Sequence, residues 1–187
     1  MQNENRPVEP IKEYYIAYVD LLGYRKFFKN NPDKAENFLK DIHEAIQNTK
    51  AYLQEVHSSY LVGDISQVSI QIKMFSDNIF LCLERCSSSM EYLRFLIFIA
   101  IVADIQQNFI LQYGLFLRGG ITIGTLSFND DFVFGQGLID VVELEEKAVY
   151  PRIIIGPAAL DYVLQLHFMK PEDLDKACEI GNHAHAG

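Results

Sequence analysis

Two aspartates stand where apolar, strand-like segments give out. One lies in Tyr15-Ile16-Ala17-Tyr18-Val19-Asp20-Leu21-Leu22-Gly23-Tyr24, the other in Lys73-Met74-Phe75-Ser76-Asp77-Asn78-Ile79-Phe80. An acid set among apolar neighbours loses hydration that a counter-charge or hydrogen bonds must replace. Two such acids, each at the exit of an expected strand, suit a shared cation. Asp20 and Asp77 with a backbone carbonyl, for instance that of Leu21, are the hard oxygen donors that Mg²⁺ or Mn²⁺ prefer. Leu22, Gly23, Tyr24 and Arg25 then form a turn opening a helix, where free backbone N–H groups can hold phosphate oxygens. A metal pair beside such a turn is the equipment of two-metal, in-line phosphoryl transfer. Read singly, Asp20 is equally a turn or N-cap residue, and Asp77 the turn-former of a Ser-Asp-Asn hairpin.

The elements that must position these acids are legible from periodicity. Residues 13–22 read as a strand apolar on both faces, with Tyr14, Ile16, Tyr18 and Asp20 on one side. A short helix, 24–29, closes at Asn30-Asn31-Pro32, and an amphipathic helix follows over 33–57. Its apolar stripe is Phe38, Ile42, Ala45, Ile46, Leu53 and Val56, with Asp33 as N-cap. Val68, Ile70, Ile72 and Met74 alternate with polar residues. The chain turns at Ser76-Asp77-Asn78 and returns over 79–83, which makes a hairpin. Lys73 and Asp77 share strand parity and so share a face. A helix over 89–113 is apolar almost all round from Tyr92 to Ala103, which implies deep burial or a second subunit over it. A strand over 115–128, a turn at 129–131, a short strand 132–134, a helix 135–148, a strand 151–155 and a helix 157–166 complete the order. The expected fold is α+β, a ferredoxin-like βαββαβ antiparallel sheet with helices packed on one face.

Bulk properties exclude several classes. At 187 residues with 49% hydrophobic and 22% charged content, one globular domain is expected. The net charge of −9, with no Lys/Arg cluster, argues against a nucleic-acid surface. The polar start, residues 1–12, holds no signal-peptide core, and the run Phe95–Ala103 is too short to span a bilayer. Cys82, Cys86 and Cys178 form neither a disulfide framework nor a zinc pattern, which suits reduced thiols and a cytoplasmic location. Residues 169–187, with His183 and His185, read as a solvated tail rather than a metal site.

In order along the chain, YIAYVDLLGY (15–24), KMFSDNIF (73–80), LRGGITIG (117–124) and FGQGLIDVVELE…YPRIII (134–155) together resemble the class III nucleotide cyclase domain. The resemblance is nearest to the bacterial branch that includes the pyrimidine (uridylate and cytidylate) cyclases of Pycsar antiphage systems, and it covers residues 13–160. It implies two ions, Mg²⁺ or Mn²⁺, on Asp20, Asp77 and the Leu21 carbonyl. It also implies a triphosphate held by residues 22–25, and a base contacted by Lys73. Arg118, Gly120 and Gly124 match the family's RxGIxxG strand, Arg118 more as a structural ion-pairing residue than a catalytic one. Further implications are a nucleoside triphosphate substrate, a 3′,5′-cyclic product and a head-to-tail homodimer with the site between subunits.

The departures are informative. Counted from Gly135, the family's base-recognising aspartate falls at Phe132, its transition-state asparagine at Ile139 and its arginine at Glu143. A Lys73/Phe132 pair cannot read adenine through the usual Lys/Asp scheme, which favours UTP or CTP. Arg152 is the nearby cation that could replace the lost arginine. The same losses suit a catalytically silent nucleotide-binding or dimerisation module. A purine cyclase is a further alternative, and the lack of a GGDEF-like hairpin counts against a diguanylate-cyclase relative.

Overall fold

The computed structural model describes residues 10–58, 69–86, 91–129 and 131–168. β1 (Lys12–Leu22) leads through Gly23 into α1 (Tyr24–Asn30), a 3₁₀ turn (Pro32–Lys34) and α2 (Ala35–Ser58). β2 (Gln71–Phe75) and β3 (Asn78–Glu84) form the expected hairpin, and α3 (Glu91–Asn108) continues through a π-helical turn (Phe109–Tyr113). β4 (Phe116–Phe128), β5 (Val133–Phe134), α4 (Gln136–Lys147), β6 (Ile153–Ile155) and α5 (Pro157–Phe168) follow. Asp33 lies inside the 3₁₀ turn instead of capping α2. Val68, the tail from residue 169 and its histidines and Cys178 fall outside the described residues, as do the side chains of Leu53 and Val56.

The strands are ordered β2-β3-β1-β4-β5, with β1 central and antiparallel to both β3 and β4. Its first four strands thus have the ferredoxin-like arrangement. The βαββαβ core sheet is antiparallel as expected, and the additional strand β6 lies parallel to β4 at Gly119–Ile121. Alternation along β1 divides the core into two layers. Tyr15, Ala17, Val19 and Leu21 pack with residues of α2, α3 and α5; Tyr14 and Ile16 pack with Phe80, Cys82, Leu126 and Val141. Val141 belongs to α4, so helices cover both faces, a correction to the one-faced arrangement read from the sequence.

One side of the apolar α3 is buried within the chain, at Leu93, Phe95, Ile97, Phe98, Ile101, Val102 and Ile105, while Leu96 on the same helix is 49% exposed. The helix Glu91–Tyr113 has the length and apolarity to cross a membrane, but its buried residues belong to the sheet's main core. Cys82 is buried, and its thiol is pushed up to about 12, by burial first, so it is inert at neutral pH.

α4 sits unusually close to the sheet because glycines line the contact. A Cβ on Gly124 would lie 2.6 Å from the Gly137 Cα, and one on Gly120 would lie 2.4 Å from the Leu144 Cβ. Neither neighbour can rotate away, since the first is backbone and the second the root of a side chain. Gly124→Ala should therefore destabilise the fold by about 1–3 kcal/mol, the cost of overpacking a tight contact. Urea denaturation checks this, and an unchanged midpoint would contradict the packing described.

Candidate functional site

The face of the sheet under α4 carries the polar chemistry. Across the strands, Asp20 stands between Asn78 on β3 and Arg118 on β4, and the next row inward holds Phe80, Tyr18 and Gly120. Lys73 pairs with Phe80 on the far side of β3. Asp77 occupies the two-residue turn between β2 and β3, beside Ser76, whose φ of 59° is left-handed. The Leu21 N–H donates to the Asp77 carbonyl at 2.8 Å, which ties the hairpin tip to the end of β1. The two aspartates selected from sequence are thus brought together by neighbouring strands.

Their environment is electrostatically unusual. Burial pushes the Asp20 carboxyl above the ordinary carboxylate range; Arg118 draws it back, Asp77 pushes it up again, and the net shift is upward. The Tyr18 phenol is raised by burial and by the charges of Glu145, Asp20 and Asp77. Three carboxylates therefore act on one partly buried patch. Arg118 moderates it: its Nη2 donates to Asp20 Oδ2 at 3.2 Å and lies 2.6 Å from Glu145 Oε1. Arg25, on an exposed side chain, reaches Asp77 only at 4.0 Å.

Glu145 was not singled out by the sequence reading. It is buried on α4 and continues the stripe of Leu138 and Val141 at helical spacing. An acid on the apolar side of a helix calls for a buried cation, and that was the available signal.

The remaining residues are placed as follows. Leu22 and Tyr24 are half-buried; Gly23, at φ 87°, caps α1 with no side-chain hydrogen bond to its first turn. The Lys73 ammonium lies 5.1 Å over the Phe128 ring, which stacks on Phe80. Phe132 lies apart in the β4–β5 turn, 45% exposed. Ile139 and Glu143 lie on the exposed side of α4, where Glu143 pairs with Lys147 at 3.4 Å. Arg152 has an exposed side chain and, among the described residues, no ion pair with either aspartate; its carbonyl accepts the Gly119 N–H at 3.0 Å.

Among the described residues no group of three or more His, Cys, Asp or Glu side chains is arranged to hold an ion unaided. Asp20, partly buried, and Asp77 at the adjoining hairpin tip are hard anionic donors of the kind that Mg²⁺ or Mn²⁺ takes once phosphate oxygens and water complete the shell.

No protein-family profile and no curated protein matches the chain. Among solved structures it is similar to an adenylate/guanylate cyclase/hydrolase from Silicibacter pomeroyi, at 18% identity and a TM-score of 0.52, over 84% of this chain and 80% of that one. Looser likenesses are to the guanylyl cyclase Cya2 (15% identity, 83% and 80% covered, TM-score 0.46) and to a class III adenylyl cyclase-like ATP-binding protein from Pseudomonas aeruginosa (11%, 89% and 40%, 0.41). The first of these establishes the fold: a curled sheet with packed helices, as in the cyclase structure.

The raised Asp20 predicts a stability effect. Its folded form keeps the proton to higher pH than the unfolded chain does. Stability present at acid pH is therefore lost as pH rises from the ordinary carboxylate range through the raised value. Asp20→Asn, which cannot ionise, should unfold at a higher temperature than the unaltered protein at neutral pH in EDTA. The gap should close as pH falls towards about 4. Thermal melts followed by circular dichroism measure both.

Proposed function

We propose that the protein is a nucleotide cyclase that converts a nucleoside triphosphate to a 3′,5′-cyclic nucleotide and pyrophosphate. The observation that carries this reading is the meeting of Asp20 and Asp77 at adjoining strand ends, with Asp20 partly buried and directly before the turn at residues 22–25. Two divalent ions held by Asp20, Asp77 and the Leu21 carbonyl would acidify the ribose 3′-hydroxyl and offset charge on the α-phosphate. The chain's own residues then bind and orient. Backbone N–H groups of Tyr24 and Arg25, left without a side-chain cap, face the phosphates, and the Arg25 guanidinium adds charge at the same edge. In the reaction, a bond forms between the 3′-oxygen and the α-phosphorus while the α–β bridge breaks and pyrophosphate leaves.

A pyrimidine base, in UTP or CTP, is the preferred substrate. Phe132 supplies no carboxylate to pair with Lys73, and Lys73 lies over the half-buried ring of Phe128, an apolar rather than acidic neighbour. A head-to-tail homodimer would bring a second subunit's α4, or Arg152, to the phosphates. With the Pycsar resemblance, the proposal extends to a cytoplasmic second-messenger signal in antiphage defence.

A second reading, a silent nucleotide-binding or dimerisation module, is favoured by the exposed Ile139 and Glu143 on α4, neither of which can stabilise a phosphorane. Incubation with ATP, GTP, CTP and UTP in Mn²⁺ separates the two. Cyclic UMP or cyclic CMP should form, and Asp77→Asn should lower the rate about 10²–10³-fold, the scale of losing one preorganised stabilising group. Cyclic AMP or GMP alone would overturn the pyrimidine preference. Mn²⁺-dependent triphosphate binding without any product would establish the silent module.

A further inference from the structure

Arg118 is held in an unusual way. A guanidinium built as a permanent strut is commonly bidentate, with its remaining N–H groups bonded. Arg118 instead offers a single nitrogen, Nη2, to both Asp20 and Glu145, at 3.2 Å and 2.6 Å. Its Nε is buried without a hydrogen-bond partner among the described residues, and Glu145 Oε1 is likewise an ion-pair partner without hydrogen-bond alignment. The side chain stays 31% exposed. It comes from β4, whereas Asp20 is on β1 and Glu145 on α4, so each contact can change without moving the others' backbones.

Charge sharpens the point. Among the described residues, Arg118 is the one cation in contact with both Asp20 and Glu145, whereas the exposed Arg25 reaches only Asp77, at 4.0 Å. A dication arriving at Asp20 meets Arg118 on that carboxylate, and the two cations repel at a few ångströms. Glu145 is already the nearer partner of Arg118 and is buried, so it holds a place for the displaced guanidinium.

We propose that Arg118 and Glu145 form an electrostatic gate on the divalent-ion site. Arg118 substitutes for the ion on Asp20 while the site is empty, and withdraws onto Glu145 when an ion binds. Both act as positioning residues; neither touches the reacting atoms. The inference rests on the reading of Asp20 and Asp77 as the ion-holding pair, and it assigns Glu145 a part in setting how tightly that pair binds.

Mn²⁺ binding to the full chain without nucleotide, followed by the electron paramagnetic resonance signal of free Mn²⁺, tests it apart from turnover. Arg118→Gln should bind Mn²⁺ about tenfold more tightly, because a competing unit charge within a few ångströms is gone. Glu145→Gln should bind more weakly, because Arg118 then has only Asp20. The two changes should not add: with Arg118 already replaced, Glu145→Gln should have little further effect. Should Arg118→Gln not fold, Glu145→Gln compared with Asp140→Asn on the same helix decides, with weaker binding in Glu145→Gln alone supporting the gate.

The gate is overturned if binding depends on Asp77 but Arg118→Gln leaves it unchanged or weakens it. It is overturned equally if the two single effects simply add, or if Glu145→Gln and Asp140→Asn behave alike. Absence of Mn²⁺ binding, or binding that Asp77→Asn does not reduce, would instead sink the ion-site reading and the gate with it.

Discussion

The closeness of α4 to β4 is the constraint on which the working face depends. Side chains normally keep a helix well clear of a sheet, and here that clearance is removed at Gly120, Gly124 and Gly137. Backbone meets backbone at Gly124 and Gly137, and Leu144 settles over Gly120. The C-terminal half of α4 is thereby held low enough for the Glu145 carboxylate to reach Arg118, and through Arg118 to influence Asp20. Glycines that the family resemblance lists as a motif thus have a mechanical reason in this chain. They set the height of the helix, and the height sets the electrostatics.

That arrangement trades stability for chemistry. Asp20 is partly desolvated and feels the charge of Asp77, and a raised carboxyl is the sign of a group the fold would rather keep neutral. The hairpin carrying Asp77 turns through a left-handed serine, a conformation that disfavours any residue with a Cβ. Elsewhere the polar groups are better served. At the opposite end of β1, Glu91 accepts from Arg85 Nε at 2.8 Å and from the Tyr15 hydroxyl at 2.5 Å, while the Tyr113 hydroxyl donates to Asp41 between helices. Among the described residues both clusters keep one buried guanidinium Nε without a hydrogen-bond partner, Arg94 beside Glu91 and Arg118 under α4, but only the α4 face adds a carboxyl raised by burial and by a neighbouring acid.

Much of this was legible in the sequence, and the gaps have physical causes. β1 could be read because apolar residues on both faces mark a central strand. β2 and β3 could be read because strict alternation flanks a Ser-Asp-Asn turn. Asp20 and Asp77 stood out as acids in apolar company. The side of the sheet taken by α4 was not legible: Leu138, Val141 and Leu144 show which face of the helix is buried but not which face of the sheet receives it. β6 pairs over only three residues, Ile153–Ile155, and nothing in so short a run fixes its direction. Glu145 was hidden within Glu143-Leu144-Glu145-Glu146, where a solvated helix face is the ordinary expectation. The apolar perimeter of α3 suggested either burial or a partner; the sheet and neighbouring helices bury one side of it and leave Leu96 exposed.

The two aspartates are mounted differently. Asp20 is held in hydrogen-bonded ladders on both sides, between β3 and β4, whereas Asp77 rides the tip of a hairpin whose outer strand, β2, has a neighbour on one side only among the described residues. Asp77 is tied back to β1 through its backbone carbonyl, which accepts the Leu21 N–H. On the proposed ion-holding role, the spacing of the two donors would then follow the twist of Phe75–Asn78 as well as the acids themselves. Two chains with identical carboxylates but different hairpin tips could therefore prefer cations of different radius.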